Sequence, residues 1–352
     1  MAHLQPTRRI DHILAGLPVR SLRTRNDAAR LCEYIGRCAV PDLRLQVWDV
    51  TPCSLDPFAV EGYVSSPFPL QALRRAADVL DTACGVDRVT VLPDPRLREM
   101  TFGLVTSGAC PLHAAPEAAE QVDTAVYGQF LRLLRREDEW TLAQTQLGYV
   151  GWVQNIHFRP VNGREWLDWI GGDTTLFVCA CNMDGIMIPG GAALPSSAPG
   201  EIRLPTGSRA AVPAGITLPV PLHGNQQRQA VRAVAQSLLG VPYQWGGTTP
   251  DGIDCSGFVR YAYHGIGIHL PRDADQQFLM GKISALPGLT GALAAGDLLF
   301  FSGEYGGITH VALALGPDEF IHARSRRGVI VTRMDEDPAL RERFLLAKRV
   351  IG

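Results

Sequence analysis

Cys255, His310 and His322 are the residues of this 352-residue chain whose types and spacing point to covalent chemistry. Cys255 stands where a loop rich in Gly and Asp, YQWGGTTPDGID, runs into the amphipathic segment CSGFVRYAYHGI, so a helix is expected to begin at the cysteine. A thiol at a helix N-terminus meets unpaired amide N–H groups and the positive end of the helix dipole. Both lower its pKa from about 8.5, and a neighbouring imidazolium lowers it further. The same N–H groups can hold the oxyanion of a tetrahedral intermediate. The expected chemistry is attack of a thiol on an acyl carbon.

The two histidines lie on consecutive predicted strands within ITHVALALGPDEFIHARSRRGVIVTRM. Side chains alternate faces along a strand, so residues on paired antiparallel strands share a face when their numbers add to the parity of the paired positions. For 310 and 322 that total is even. An odd loop such as Leu315 to Glu319 gives pairs of even total and places the histidines diagonally on one face, roughly 7–8 Å apart at Cα. A regular four-residue loop puts them on opposite faces. On one face, His310 is the candidate base and His322 the residue that orients it.

These residues need a framework, and the chain is long enough for several cores. Its last third begins after PLHGN with a helix, QQRQAVRAVAQSLLG, ending on Gly240. Before it, Thr174 to about Val220 reads as strand and turn with many Gly and Pro, and Gly108 to Gln154 as short alternating strands. Five or six such strands make a small β-barrel, with the later stretch a degenerate second copy. From Leu43 to Leu92 the pattern is strand, strand, helix, strand, with Leu70, Leu73, Ala76, Ala77 and Leu80 on the buried face of the helix. The expected units are an N-terminal α/β unit at 1–105, small barrels at 106–160 and 161–222, and a catalytic domain at 223–352.

Apolar residues make up 46% of the chain and charged residues 19%, as in globular proteins. Lys and Arg number 33 against 35 Asp and Glu, so no basic field is present to attract nucleic acid. The eight cysteines are scattered without a compact disulfide framework, and reduced thiols are expected. Cys179 and Cys181 alternate with Ala180 and read as half-buried strand residues. No paired CxxC motifs are present to hold zinc. The early apolar piece ILAGLPV closes on Arg20 without a cleavage signal, and no run approaches the ~18 apolar residues of a membrane span. A cytoplasmic location is expected unless another export route operates.

In order, YQWGG, GIDCSGF, LPRDADQQ, GDLLFF, ITHVALALG and FIHA resemble the NlpC family of bacterial cell-wall cysteine peptidases, across roughly Gln226 to Arg333. The resemblance implies an α+β, papain-like domain in which Cys255 is the nucleophile, His310 the general base and acid, and His322 the residue holding the imidazole. The β segments before it resemble bacterial SH3-like domains, an arrangement found in γ-D-glutamyl-L-diamino-acid endopeptidases. That implies a stem peptide, L-Ala-γ-D-Glu-diamino acid with a free L-Ala amine, cut at the γ-D-Glu to diamino-acid bond. A Glu and a Tyr of the first SH3-like domain then wall the pocket. Their best matches are Glu120 in AAEQVDTAVYG and Tyr149 in GYVGWV, with Asp254 as a third amine-binding group and Ser256 following it. A carboxylate can pair with an ammonium, and a tyrosine hydroxyl can hydrogen-bond it. Tyr243 and Trp245 are expected to line the cleft, with Gly246 and Gly247 allowing close backbone approach. Arg272 and Asp273 are expected to contact the peptide. Ala274 stands where the resemblance leads one to expect serine, a departure that touches peptide contacts and leaves the nucleophile unaffected. No metal or organic cofactor is required, and neither nucleic acid nor membrane is expected as a partner. Recycling of imported wall fragments fits these features better than attack on intact wall. The rivals are an amidase or acyltransferase on the same core, and a wall-binding module without catalysis.

Overall fold

The computed structural model describes residues 6–117, 119–177, 180–183, 185–213, 223–288 and 293–352. The first described elements are two helices with no counterpart among the expected ones, α1 (Pro6–Ala15) and α2 (Arg25–Ala39). A reciprocal capping box between Thr24 and Asp27 starts α2, which buries Leu31, Cys32 and Ile35. Next come β1 (Trp48–Leu55), β2 (Phe58–Val64), α3 (Phe68–Val79) and β3 (Gly85–Val91). β1 and β2 form a hairpin, and α3 is the crossover to a parallel β3. Leu31, Ile35, Phe58, Val60 and Leu73 share this unit's core. The strand expected from Leu43 begins only at Trp48. Asp42 closes a turn there, its side chain accepting from the Arg44 amide and its carbonyl from the amides of Leu45 and Gln46.

Where the first barrel is expected, the chain forms a seven-stranded sheet: β4 (Phe102–Val105), β5 (Ala109–His113), β6 (Gln121–Val126), β7 (Phe130–Glu137), β8 (Trp140–Thr145), β9 (Val150–Gln154) and β10 (Phe158–Val161). Its spatial order is β10-β4-β7-β8-β9-β5-β6 around Val105, Leu112, Leu131, Leu133 and Val153. β4 pairs with both β7 and β10, so the barrel begins a few residues before the expected boundary at 106.

A capped helix, α4 (Gly163–Ile170), leads to β11 (Thr174–Leu176), β12 (Cys181–Met183), β13 (Ile186–Ile188), β14 (Ala193–Ala198), β15 (Glu201–Arg203) and β16 (Arg209–Ala211). Four of these form a sheet in the order β11-β14-β15-β16, and β12 and β13 form a separate hairpin. Cys181 is half-buried, whereas Cys179 and residues 214–222 lie outside the described residues.

The C-terminal domain comprises α5 (Asn225–Ser237), β17 (Thr248–Thr249), β18 (Gly252–Ile253), α6 (Cys255–His264), α7 (Ala274–Gln277), β19 (Lys282–Ala285), β20 (Leu298–Ser302), β21 (Ile308–Ala314), β22 (Glu319–Arg324), β23 (Gly328–Arg333), α8 (Pro338–Arg343) and β24 (Phe344–Arg349). Its sheet runs β19-β24-β20-β21-β22-β23, and the domain is α+β. One face packs Phe300, Val311, Leu313 and Ile321 against Phe258 and Val259 of α6, while the other carries Phe301, Ala312, Phe320 and Phe344. Among the described residues no helix is long and apolar enough to cross a membrane.

Barrel and C-terminal domain meet through buried polar contacts. Asp123 of β6, wholly buried, faces Arg260 Nη1 at 2.7 Å and Arg272 Nε at 3.0 Å. Thr124 Oγ1 donates to the Gly246 carbonyl, and Thr248 Oγ1 donates to the Thr124 carbonyl. Gly246 has a positive φ of 75°, and a Cβ there would lie 2.4 Å from the Gln121 carbonyl oxygen. The close approach expected at Gly246 is therefore to the barrel.

Candidate active site

The short hairpin β17–β18 delivers the chain to Asp254, the N-cap of α6, whose Oδ1 accepts from the Gly257 amide at 2.7 Å. Cys255 is thus the first residue of its helix, as the sequence pattern predicts. Cys255 is 8% exposed and lines a cleft of about 440 Å³. Glu120, Tyr149, Trp245, Asp273 and Ala274 lie on the walls of the same cleft, with Arg44 from the N-terminal unit. A larger cavity of about 680 Å³, between Arg96, Met100, Arg136 and Phe158, contains no thiol or imidazole.

The expectation of a depressed thiol pKa is not met. Burial pushes Cys255 up to about 12, and the Asp254 carboxylate pushes the same way. Hydrogen bonds from the backbone of Val311 and Ser256 oppose this and are outweighed. The cap itself is part of the reason, because Asp254 brings negative charge to the helix end that was expected to favour a thiolate.

β21 and β22 pair Leu313 with Ile321 and Ala314 with Phe320, around the five-residue turn 315–319. The paired numbers have even totals, and the histidine rings share a face. His310 Nε2 lies 2.7 Å from His322 Nδ1, and His322 Nε2 lies 3.1 Å from Thr332 Oγ1. This order leaves Nδ1 of His310 as the nitrogen able to exchange a proton with a thiol. An unprotonated Nδ1 there requires Nε2–H of His310 to donate to His322, and His322 Nε2–H to donate to Thr332.

The rings rest on Phe301 and Phe320, at 5.6 and 5.2 Å between centroids. The thiol reaches β21 from the α6 side, at the amide of Val311, one residue from His310. A register shift against β20, where Phe301 pairs with His310 but Ser302 with Ile308, bends the strand at this point. Among the described residues, the hydrogen bond of His310 goes to His322, and none joins it to Cys255. Catalytic hydrogen bonds commonly tighten only with substrate in place.

Burial holds both imidazoles neutral. His310 is lowered to about 3 and His322 to about 4, with neighbouring positive charge, including Arg324, adding to the effect. His264, buried beside His269, is lowered to about 3 for the same reason. An unfolded chain takes up protons near pH 6.5 that the folded chain refuses until pH 3–4. Stability is therefore complete above about pH 6.5 and falls on acidification, by about 1 kcal/mol per histidine for each pH unit in that window. Urea midpoints measured from pH 7.5 to 4.5 are expected to stay level and then decline; a flat profile to pH 4.5 would contradict this.

The other expected contacts divide. Glu120 and Tyr149 come together in the cleft, Glu120 exposed and Tyr149 mostly buried with its pKa raised by desolvation. Trp245, 61% exposed, stands over the cleft. Tyr243 instead packs half-buried against the core beneath Cys255, and Gly247 abuts the Gly252 carbonyl. Asp254, Ser256 and Arg272 border the cleft, but their polar atoms serve one another. Arg272 Nη1 donates to Ser256 Oγ at 2.8 Å and to Asp254 Oδ1 at 3.1 Å, while its Nη2 pairs with Asp254 Oδ2, which also accepts the Gly246 amide. With Asp123, they form a buried support that fixes the helix start. Asp273 caps α7 and is held by Arg44 at 2.8 Å.

Arg44, Asp123, Arg260, Asp275 and Thr332 join the site without standing among the residues expected from the sequence. Only Thr332 carried a local signal, because its strand follows the histidine hairpin and its even number places it on the face of Phe320, its paired residue.

Residues 240–349 match the NlpC/P60 family. A murein DD-endopeptidase MepS/murein LD-carboxypeptidase of Escherichia coli K12 is 39% identical over 114 residues, covering 32% of this chain and 57% of that protein. A gamma-D-glutamyl-L-lysine dipeptidyl-peptidase of Bacillus subtilis 168 is 38% identical over 104 residues, 28% of this chain and 34% of that one. The match thus spans about half or less of these curated relatives. A crystal structure of an NlpC/P60 family protein from Bacillus cereus superposes with a TM-score of 0.62 at 20% identity, covering 71% of this chain and all of that one. Because this coverage exceeds the C-terminal domain, the shared fold includes part of the upstream β architecture, consistent with SH3-like units. The C-terminal domain of this chain belongs to the NlpC/P60 family.

Proposed function

We propose that the protein is a cysteine endopeptidase that cuts the γ-D-glutamyl to diamino-acid bond of peptidoglycan stem peptides bearing a free N-terminal amine. The reading rests on one observation: Glu120 and Tyr149 of the barrel share a cleft with Cys255 of the NlpC/P60 domain. Names of relatives that act on murein or on γ-D-glutamyl-lysine bonds support the substrate class.

In this reading Cys255 Sγ adds to the γ-carbonyl of D-Glu as its proton passes to His310 Nδ1. The resting thiol and imidazole are neutral, so transfer accompanies attack. Gly257 N–H is taken by Asp254 and the Ser256 backbone by the resting thiol, leaving the amide of Cys255 at the helix start to face the oxyanion. Collapse breaks the C–N bond, and His310 returns the proton to the departing amine. Water then hydrolyses the thioester, releasing L-Ala-D-Glu and regenerating the thiol. His322 and Thr332 keep the ring in the required tautomer. Recycling of free muropeptides is the physiological setting we favour.

The test compares L-Ala-γ-D-Glu-diamino acid with its N-acetylated form. Losing an ammonium–carboxylate contact costs about 2–3 kcal/mol, so the free peptide should have a kcat/KM about 100-fold higher. Equal cleavage of both would overturn amine recognition.

A further inference from the structure

The cleft has a wall that no NlpC/P60 residue supplies. The segment Asp42–Gln46 of the N-terminal unit runs between the first barrel and α7. Its Arg44 carbonyl accepts the Val150 amide at 2.7 Å, and its Leu45 carbonyl accepts from Gln144 Nε2 at 2.9 Å. Val150 follows Tyr149, so the strap is anchored next to the proposed amine-binding tyrosine. On its other side, Gln276 Nε2 donates to Asp42 Oδ2.

Arg44 is the centre of this junction. Its Nε donates to Asp42, Nη1 to Asp273 and Asp275 at 2.8 Å each, and Nη2 to Asp42 and Asp275 at 2.7 and 2.9 Å. Five N–H groups thus meet three carboxylates, and none remains for a substrate carboxylate. The cluster keeps an excess of negative charge beside Glu120, whereas Arg260 and Arg272 are balanced by Asp123 and Asp254. An ammonium suits this corner, and a chain continuing past it would run into the strap.

We propose that Arg44 is a specificity-determining positioning residue: by clamping Asp42, Asp273 and Asp275, it closes the cleft beyond Glu120 and Tyr149, so that only peptides ending there in a free ammonium fit. This rests on the free-amine reading above. The N-terminal unit then acts as a gate that excludes stem peptides still acylated at L-Ala, as they are when attached to a glycan.

The experiment measures kcat and KM on the free and N-acetylated tripeptides for wild type, Arg44→Gln and Arg44→Lys, with a thermal melt of each. Arg44→Gln leaves three carboxylates unclamped. Its KM for the free peptide should rise about tenfold, with kcat within about twofold, and its preference for free over acetylated peptide should narrow about tenfold. Arg44→Lys, a point charge unable to span three carboxylates, should fall between, and it carries the test if Arg44→Gln does not fold. A preference unchanged from wild type in the folded variants would overturn the gate. So would an equal loss of kcat on both peptides, which marks a structural role. If wild type itself cleaves both peptides equally, the amine reading and the gate fall together; if wild type discriminates and the variants discriminate equally, only the gate falls.

Discussion

Replacing Cys255 with alanine is expected to lower kcat for the free tripeptide by at least about 10⁴-fold while the protein stays folded. The two halves of this expectation have separate physical sources. Without sulfur there is no atom to form the thioester, and the His310–His322–Thr332 chain has no proton acceptor role left to play. The fold loses one buried sulfur and the hydrogen bond it accepts from the Val311 backbone, a cost of about 1–3 kcal/mol that a domain with cores on both faces of its sheet can absorb. Steady-state hydrolysis alongside a denaturant melt separates the two. Turnover within tenfold of wild type would remove Cys255 as the nucleophile.

Asp123→Ala is expected to destabilise the protein by about 3–5 kcal/mol, the largest structural effect of any single change considered. Asp123 is wholly buried and faces two guanidiniums, Arg260 at 7% exposure and Arg272 at 3%. Truncating the carboxylate leaves those charges largely buried and short of a partner. Arg272 keeps Asp254, but one carboxylate then faces the pair of arginines. The loss also reaches the start of α6, since Arg272 holds Asp254 and Ser256 on either side of Cys255. Urea unfolding should show a lower midpoint, with the barrel and the C-terminal domain less firmly coupled. A midpoint shift worth under about 1 kcal/mol would show that the interface rests on its apolar and backbone contacts instead.

The features legible in the sequence were those set by local periodicity. The histidine hairpin could be read from parity because a strand repeats every two residues, and Leu315–Glu319 is the odd loop observed. The start of α6 could be read because a Gly- and Asp-rich loop gives way to an amphipathic run at Asp254. Properties set by packing could not. The pKa of Cys255 depends on burial under β21, which reverses the helix-end argument. Asp254, Ser256 and Arg272 look like peptide contacts in their motifs, and only the folded chain shows their donors and acceptors satisfied by one another. Arg44 lies 229 residues from Asp273, beyond the reach of any motif. The turn at Asp42 that presents it also displaced the first strand to Trp48, in a stretch whose alternating residues suggested a strand.

The central claim, a Cys255-dependent cut at the γ-D-glutamyl bond, is tested most directly by mass spectrometry of the products from L-Ala-γ-D-Glu-diamino acid, with wild type and Cys255→Ala in parallel. The expected result is L-Ala-D-Glu and free diamino acid from wild type, and intact tripeptide from the variant. Cleavage between L-Ala and D-Glu, or an unchanged tripeptide with wild type, would contradict it.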